Sequence, residues 1–314
     1  VKIRRLAPAV MVGLALSVAV AASATATPAR HVHQIAAFDQ AAGESPEGIT
    51  TTPDGTVYVS FKPLQQLVRV NADGSHTVVA TLPGKATGIG GLVGLASTPD
   101  GTILGALANT DPRYNGVWAI HTNGRASRIA ALPPSAFPND LTLTPDGSAA
   151  LVTDSTGGRV YRIALTDGRV TTWLQDAQLA PPANAALPVG ANGITFRSRH
   201  EVVIANTARG LLLSAPVHPD GSAGTPSVIA RLNSPDGVRA RNGQLYVAEP
   251  LDNLVVRVSA AGSRRVIADV GNGLDAPVSL LIRDGHGPSA DVLVTDSSVT
   301  ETADKPGVSA IRIR

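Results

Sequence analysis

The 314-residue chain contains no cysteine. That absence excludes a disulfide-stapled scaffold, a thiolate-bound zinc or iron–sulfur centre and a thiol nucleophile. Aromatic residues make up only 3%, too few to favour a stacking platform for sugars or single-stranded nucleic acid. Charge is sparse and balanced, with 26 Lys and Arg against 24 Asp and Glu. Three of those cations, Lys2, Arg4 and Arg5, stand at the very start, and without them 23 cations face 24 acids. The broad basic face that duplex nucleic acid demands is not expected. The chain has no Gly-x-Ser-x-Gly elbow and no P-loop. Gly271-Asn272-Gly273-Leu274-Asp275-Ala276 matches a dinucleotide fingerprint in form only, because Pro277 follows and no helix opens. What is present is apolar material, 43% of the residues, enough for a sizeable core.

The one long apolar run, Leu6 to Ala22, follows the basic residues and ends in small ones. Ala22-Ser23-Ala24 and Ala24-Thr25-Ala26 both fit an A-x-A cleavage site, which completes the three-part pattern of an export signal. An uncleaved anchor is the competing account, since the run approaches spanning length. Cleavage is favoured by the Ala-rich run and the missing stop-transfer charges. The expected layout is a signal peptide over 1–24, a short linker over 25–29 and one domain over 30–314. The product would be secreted, with no stable membrane insertion after cleavage.

The rest is a repeat. Pro-Asp-Gly starts at Pro53, Pro99 and Pro145, 46 residues apart both times. Each copy sits in one frame of apolar run, turn and second apolar run, as in 45–60, 92–107 and 137–153. The frame recurs without that tripeptide at its turn at 190–206 and 234–249, and in degenerate form at 276–295. A third and a fourth apolar run follow, separated by Gly and Asp turns and rich in β-branched alternation. Four antiparallel strands in a unit of about 40–50 residues describe a propeller blade. The fold expected is all-β, a six-bladed β-propeller of four-stranded blades. The last unit supplies only three strands, at 279–283, 291–295 and 308–313. The segment 31–38, a strand without a partner of its own, should close the ring and remove its open edges.

Aligned at the residue before the small residue of each first strand, the frames give Glu47, Val93, Asn139, Asn192, Asp236 and Val278. First strands line a propeller's channel, so these six form a ring at one depth. Two carboxylates and two carboxamides aimed at one axis are costly without a partner. A hard divalent cation supplies one, and an all-oxygen donor set with flexible geometry favours Ca2+ over zinc or Mg2+. The competing account is that Pro-Glu-Gly and Pro-Asp-Gly are ordinary turn tripeptides.

Pro46-Glu47-Gly48, Pro138-Asn139-Asp140, Ala191-Asn192-Gly193 and Pro235-Asp236-Gly237 resemble the calcium-site motifs of the six-bladed gluconolactonase, regucalcin and luciferin-regenerating-enzyme family. They also resemble those of its relatives paraoxonase and diisopropyl fluorophosphatase. The resemblance spans the chain at the level of blades, and its specific part is these four motifs. It implies a catalytic Ca2+ held by Glu47, Asn139, Asn192 and Asp236, with Asp236 also the candidate catalytic base or nucleophile. The aromatic residue that often follows Glu-Gly-Pro in the lactonases is missing, as is a paraoxonase-type histidine pair.

The ends of the second strands fall on the same face and read Ser60, Asn109, Asp154, Asn206, Glu249 and Asp296. Asn109, Asp154, Asn206, Glu249 and Asp296 are candidate substrate contacts or supports, though solvated strand ends are polar in any case. The long connections 109–116, 175–191 and 296–309 are candidate walls, and Arg113 and Tyr114 candidate contacts for an anionic or carbonyl oxygen. The expectation is a monomeric, exported, Ca2+-dependent hydrolase of lactone or ester type, with phosphotriesters as further substrates. A non-catalytic propeller with a ligand or protein partner on its loop face is the alternative. A third reading, a strictosidine-synthase-like enzyme, would place its catalytic Glu at Glu249.

Overall fold

The computed structural model describes residues 32–285, 289–298 and 306–313. The leader and its cleavage site lie outside the described residues. Six four-stranded antiparallel sheets follow one another around a ring. Their first strands are Pro46–Thr51, Gly91–Ser97, Pro138–Leu143, Ala191–Ser198, Val238–Arg241 and Pro277–Asp284, which begin blades 1 to 6. Blade 6 adds Ala290–Asp296 and Gly307–Ile313, and its fourth strand is the N-terminal Val32–Ala37, paired antiparallel to Gly307–Ile313. The expected closure is therefore found. Its reason is the missing fourth strand of the last repeat, which would leave Gly307–Ile313 as an unpaired edge.

Burial grades outward across each blade. The second strand Ala149–Asp154 is buried at every position, while the outermost Val170–Gln175 is buried only at Leu174. Apolar side chains on both faces of the inner strands meet the neighbouring blade, so there is no single core. One cluster joins blades 2 and 3 through Leu104, Val117, Leu141 and Tyr161, and another joins blades 3 and 4 through Leu151, Val160, Ile194 and Leu213. The junction of blades 6 and 1 packs Phe38, Phe61, Leu293 and Val308.

In blades 1 to 3 a Pro-Asp-Gly turn links the first and second strands at the end remote from the axial residues. Thr52, Thr98 and Thr144 each donate a hydroxyl hydrogen bond to the turn aspartate, Asp54, Asp100 and Asp146. Those bonds hold all three carboxyls below their ordinary value, Asp146 at about 2. A depressed carboxyl stabilises the fold above its unfolded pKa near 3.8, and that contribution is lost as pH falls through about 2. Thr144→Val should return the Asp146 pKa toward 3.8 in an NMR titration. An unmoved value would show that the threonine hydroxyl is not the cause.

Candidate functional site

Glu47, Val93, Asn139, Asn192, Asp236 and Val278 come together on the axis and line one small cavity with the residue that follows each. Two local devices aim them inward. The first is a bulge. Pro46 pairs with Phe61 and Ile49 with Val59, so the first strand carries one residue more than its partner across Glu47. The same extra residue occurs at Val93, Asn139, Asn192 and Val278. A bulge breaks the alternation and redirects a side chain. The second device is the close approach of neighbouring first strands. A Cβ on Gly48 would lie 2.3 Å from the Val93 carbonyl oxygen, and one on Gly193 2.2 Å from that of Asp236. These glycines are needed for contact between blades, as is Gly237, whose Cβ would lie 2.7 Å from the Val278 carbonyl oxygen, and this counts against the turn-tripeptide account of Glu47 and Asp236. In blade 3 the small seat holds Asp140 instead. Its carboxylate accepts from the Ile194 amide at 3.1 Å and from Arg239 at 2.8 Å, joining blades 3, 4 and 5.

Two hydroxyls fix the axial carboxamides. Asn139 Nδ2 donates to Ser155 Oγ at 3.0 Å, and Ser155 Oγ donates to the Ala191 carbonyl at 2.7 Å. Asn192 Nδ2 donates to Thr207 Oγ1 at 2.9 Å, and Thr207 Oγ1 donates to the Pro235 carbonyl at 2.8 Å. A hydroxyl has one proton, and here it is committed to a carbonyl. The amide must therefore present nitrogen to it, which leaves both amide oxygens available to an axial ligand. Ser155 and Thr207 escaped the sequence alignment, although a hydroxyl residue directly after the second strand was a readable signal.

The electrostatics centre on Asp236. Burial, then the negative charge of Glu47, raise its pKa well above the ordinary 3.8; Lys62 opposes this, Asp140 adds to it, and the Asn192 amide lowers it. Lys62 Nζ donates to Glu47 Oε2 at 2.7 Å, with the two side chains 28% and 13% exposed. Burial works against the charge of Lys62, but Glu47, with Asp236 behind it, raises the ammonium pKa above its ordinary value. Lys62 also escaped the sequence analysis, because nothing local marks it as axial.

The second ring is reordered. The strand register places Phe61, Leu107, Asp154, Asn206, Glu249 and Asp296 at one level, so Ser60 lies one residue short of it and Asn109 two residues past it. Ser60 instead donates to the Val93 carbonyl at 2.7 Å, a clasp between blades that Thr153 and Thr295 repeat. The polar members engage connecting segments. Asp154 accepts from the Phe137 amide at 2.9 Å, and Asn206 donates to the Gln178 carbonyl at 2.7 Å. Glu249 accepts from the Asn233 amide and from Arg264, and Asp296 from the Asp275 amide. Asn109 is buried and donates to Gln65 at 2.9 Å. Arg113 pairs with Asp111 at 2.6 Å and lies over the Tyr114 ring. These contacts give the five ring candidates a role in holding connections.

The axial cavity measures about 10 Å3, room for one water-sized or ion-sized guest. A much larger cleft of about 550 Å3 lies between blades 3 and 4 at the opposite end of the strands, against Trp173, Phe196 and Arg162. It contains none of the axial residues, so size and axial chemistry separate here. Among the described residues no three His, Asp or Glu side chains cluster as a metal site. The axial donors are two carboxylates and two oriented carboxamide oxygens, which suit a hard, oxygen-seeking cation such as Ca2+. The residues therefore fit that ion.

The chain matches no protein-family model and no curated protein in sequence. In structure it is similar to a gluconolactonase from Xanthomonas campestris, with a TM-score of 0.67, 14% identity and 91% of each chain covered. It is also similar to regucalcin, a calcium-binding protein from Agrobacterium tumefaciens, with a TM-score of 0.64, 19% identity, and 90% of this chain and 93% of that one covered. The PQQ-bound form of aldose sugar dehydrogenase from Streptomyces coelicolor aligns with a TM-score of 0.65 and 15% identity, over 90% of this chain and 98% of that one. At such identities the likeness is one of fold, the six-bladed propeller, and fold does not fix function.

Proposed function

We propose that the protein is a Ca2+-dependent hydrolase of lactone or ester type, acting on a small molecule at the axial face of the ring. The observation that carries this reading is the orientation of Asn139 and Asn192. Ser155 and Thr207 each accept a hydrogen bond from the amide nitrogen, which leaves both amide oxygens as the free acceptors of residues that line the cavity with Glu47 and Asp236. The gluconolactonase and the calcium-binding regucalcin among the structural neighbours lend it support. Glu47, Asn139, Asn192 and Asp236 would hold the ion, which when bound supplies Lewis-acid polarisation of the substrate's carbonyl or phosphoryl oxygen.

The protein's own residues account for the rest. Asp236, with a pKa pushed up by burial and by Glu47, is suited to take a proton at its carboxylate from the attacking water. As the acyl C–O bond breaks, that proton passes to the departing alkoxide. Arg113 and Tyr114 are the proposed contacts along the surrounding loop. Export and secretion, expected from the leader, complete the proposal.

Calorimetric titration of Ca2+ into the chelator-stripped protein, with Glu47→Gln beside it, tests this reading. Micromolar or tighter binding that the variant loses should accompany turnover in a lactone, ester and organophosphate screen. A folded wild type that binds no Ca2+ would refute it. The Lys62–Glu47 ion pair, which already gives Glu47 a cationic partner, would then favour the second reading, a scaffold that binds its partner without a metal.

A further inference from the structure

We propose that Lys62 is a tethered cation built into the axial site, which orients Glu47 and, by its charge, sets the site's affinity for a divalent ion. The inference rests on the axial-cation reading above and adds to it a residue that none of the four motifs contains.

The argument begins with position. Phe61 pairs with Pro46, Asp154 with Pro138 and Asn206 with Ala191, so the next residues, Lys62, Ser155 and Thr207, hold equivalent seats. Their backbones confirm it. Lys62 N donates to the Ser45 carbonyl, Ser155 N to that of Phe137 and Thr207 N to that of Gly190, each the residue just before its own first strand. In blades 3 and 4 the side chain from this seat holds the axial carboxamide. In blade 1 it holds the axial carboxylate, through Lys62 Nζ and Glu47 Oε2 at 2.7 Å.

The seats share geometry but not charge. A hydroxyl orients its amide and leaves the charge of the site unchanged. The ammonium orients Glu47 through one oxygen and also offsets one of the negative charges on which a divalent ion depends. Its reach extends past Glu47, because Glu47 and Asp236 line the same cavity of about 10 Å3 and the ammonium is held on Glu47 at 2.7 Å. Both carboxylates of the proposed donor set thus feel the same fixed cation. Affinity of an oxygen site for Ca2+ follows the charge its ligands carry. Lys62 therefore weakens the ion's hold, while its hydrogen bond keeps Glu47 in place.

Lys62→Gln removes the charge and keeps a donor, whereas Lys62→Arg keeps both. In calorimetry the Gln variant should bind Ca2+ about 10-fold tighter or more than wild type, and the Arg variant within about 3-fold of it. In chelator the Gln variant should melt at a lower temperature than wild type, because Glu47 and Asp236 then face each other without the ammonium. A residue that served only as packing would not tighten Ca2+ binding when changed. If wild type binds and a folded Gln variant binds no tighter, this inference fails while the axial-cation reading stands. A Gln variant as stable as wild type in chelator would equally overturn it. Absence of binding in all three folded proteins would overturn the axial-cation reading, and the present inference with it.

Discussion

Asp236→Asn is expected to abolish Ca2+ binding, with affinity down about 100-fold or more, while making the chelated protein more heat-stable at neutral pH. The two effects share one cause. Asp236 is buried beside Glu47, and its folded pKa lies well above 3.8. For a carboxyl raised in the folded state, the favourable protonated form is fully present below the unfolded pKa. Stability is then lost as pH rises through the folded pKa. At neutral pH and without an ion, a carboxyl whose ionisation burial disfavours is thus a burden on the fold. Asparagine is close in shape and carries no charge. Its melting temperature in chelator should exceed that of wild type at pH 7, and the gap should close as pH falls to about 4. Melting curves across that range, with calorimetry at neutral pH, would check both halves. A variant less stable than wild type in chelator at pH 7 would contradict the electrostatic account. Retained Ca2+ affinity would remove Asp236 from the ligand set.

Gly193→Ala is expected to be among the most damaging single-methyl changes in the inner ring. Its Cβ would stand 2.2 Å from the Asp236 carbonyl oxygen and 2.8 Å from the Val238 amide nitrogen, both backbone atoms. No side-chain rotation relieves that clash. Overpacking of this kind costs about 3 kcal/mol, or more where backbone must move. Blades 4 and 5 would have to part at the level of Asn192 and Asp236, so cation affinity should fall together with stability. Gly55→Ala is the control, because nothing lies within 4 Å of its Cβ and its cost should be only that of a φ of +84°. Urea denaturation of the two variants beside wild type would rank them. Equal losses would mean that the inner ring yields more readily than its backbone contacts imply.

Much of the fold could be read directly. The 46-residue recurrence of Pro-Asp-Gly, the alternating β-branched runs and the missing strand of the last unit all report local chemistry. Turn residues set local backbone angles, and alternation sets which face of a strand is buried. From these followed six blades and closure by Val32–Ala37. The meeting of Glu47, Asn139, Asn192 and Asp236 on the axis was also legible, because equivalent positions in a ring of repeats must share one depth.

The second ring shows where such reading fails. Counting along the strands picked Ser60 and Asn109, whereas the register gives Phe61 and Leu107. The bulges at the axial residues add one position to five of the six first strands, and no pattern of residue types announces them. Glu249 and Asp296 were read as possible ligand contacts from their polarity alone; the structure shows each accepting a backbone amide of a connecting segment.

The sequence by itself determined an all-β repeat, its number of blades, its closing strand and the identity of the polar residues on the axis. Tertiary structure decided which hydrogen bonds orient those residues. It committed the Ser155 and Thr207 hydroxyls to carbonyls of the next blade, and so turned two amides. It also brought the Lys62 ammonium to Glu47 and joined Asp140 to Arg239 across 99 residues of chain. The physical reason is that periodicity encodes the conformation of each segment, whereas charge pairs and amide orientations depend on which blades the closed ring sets side by side.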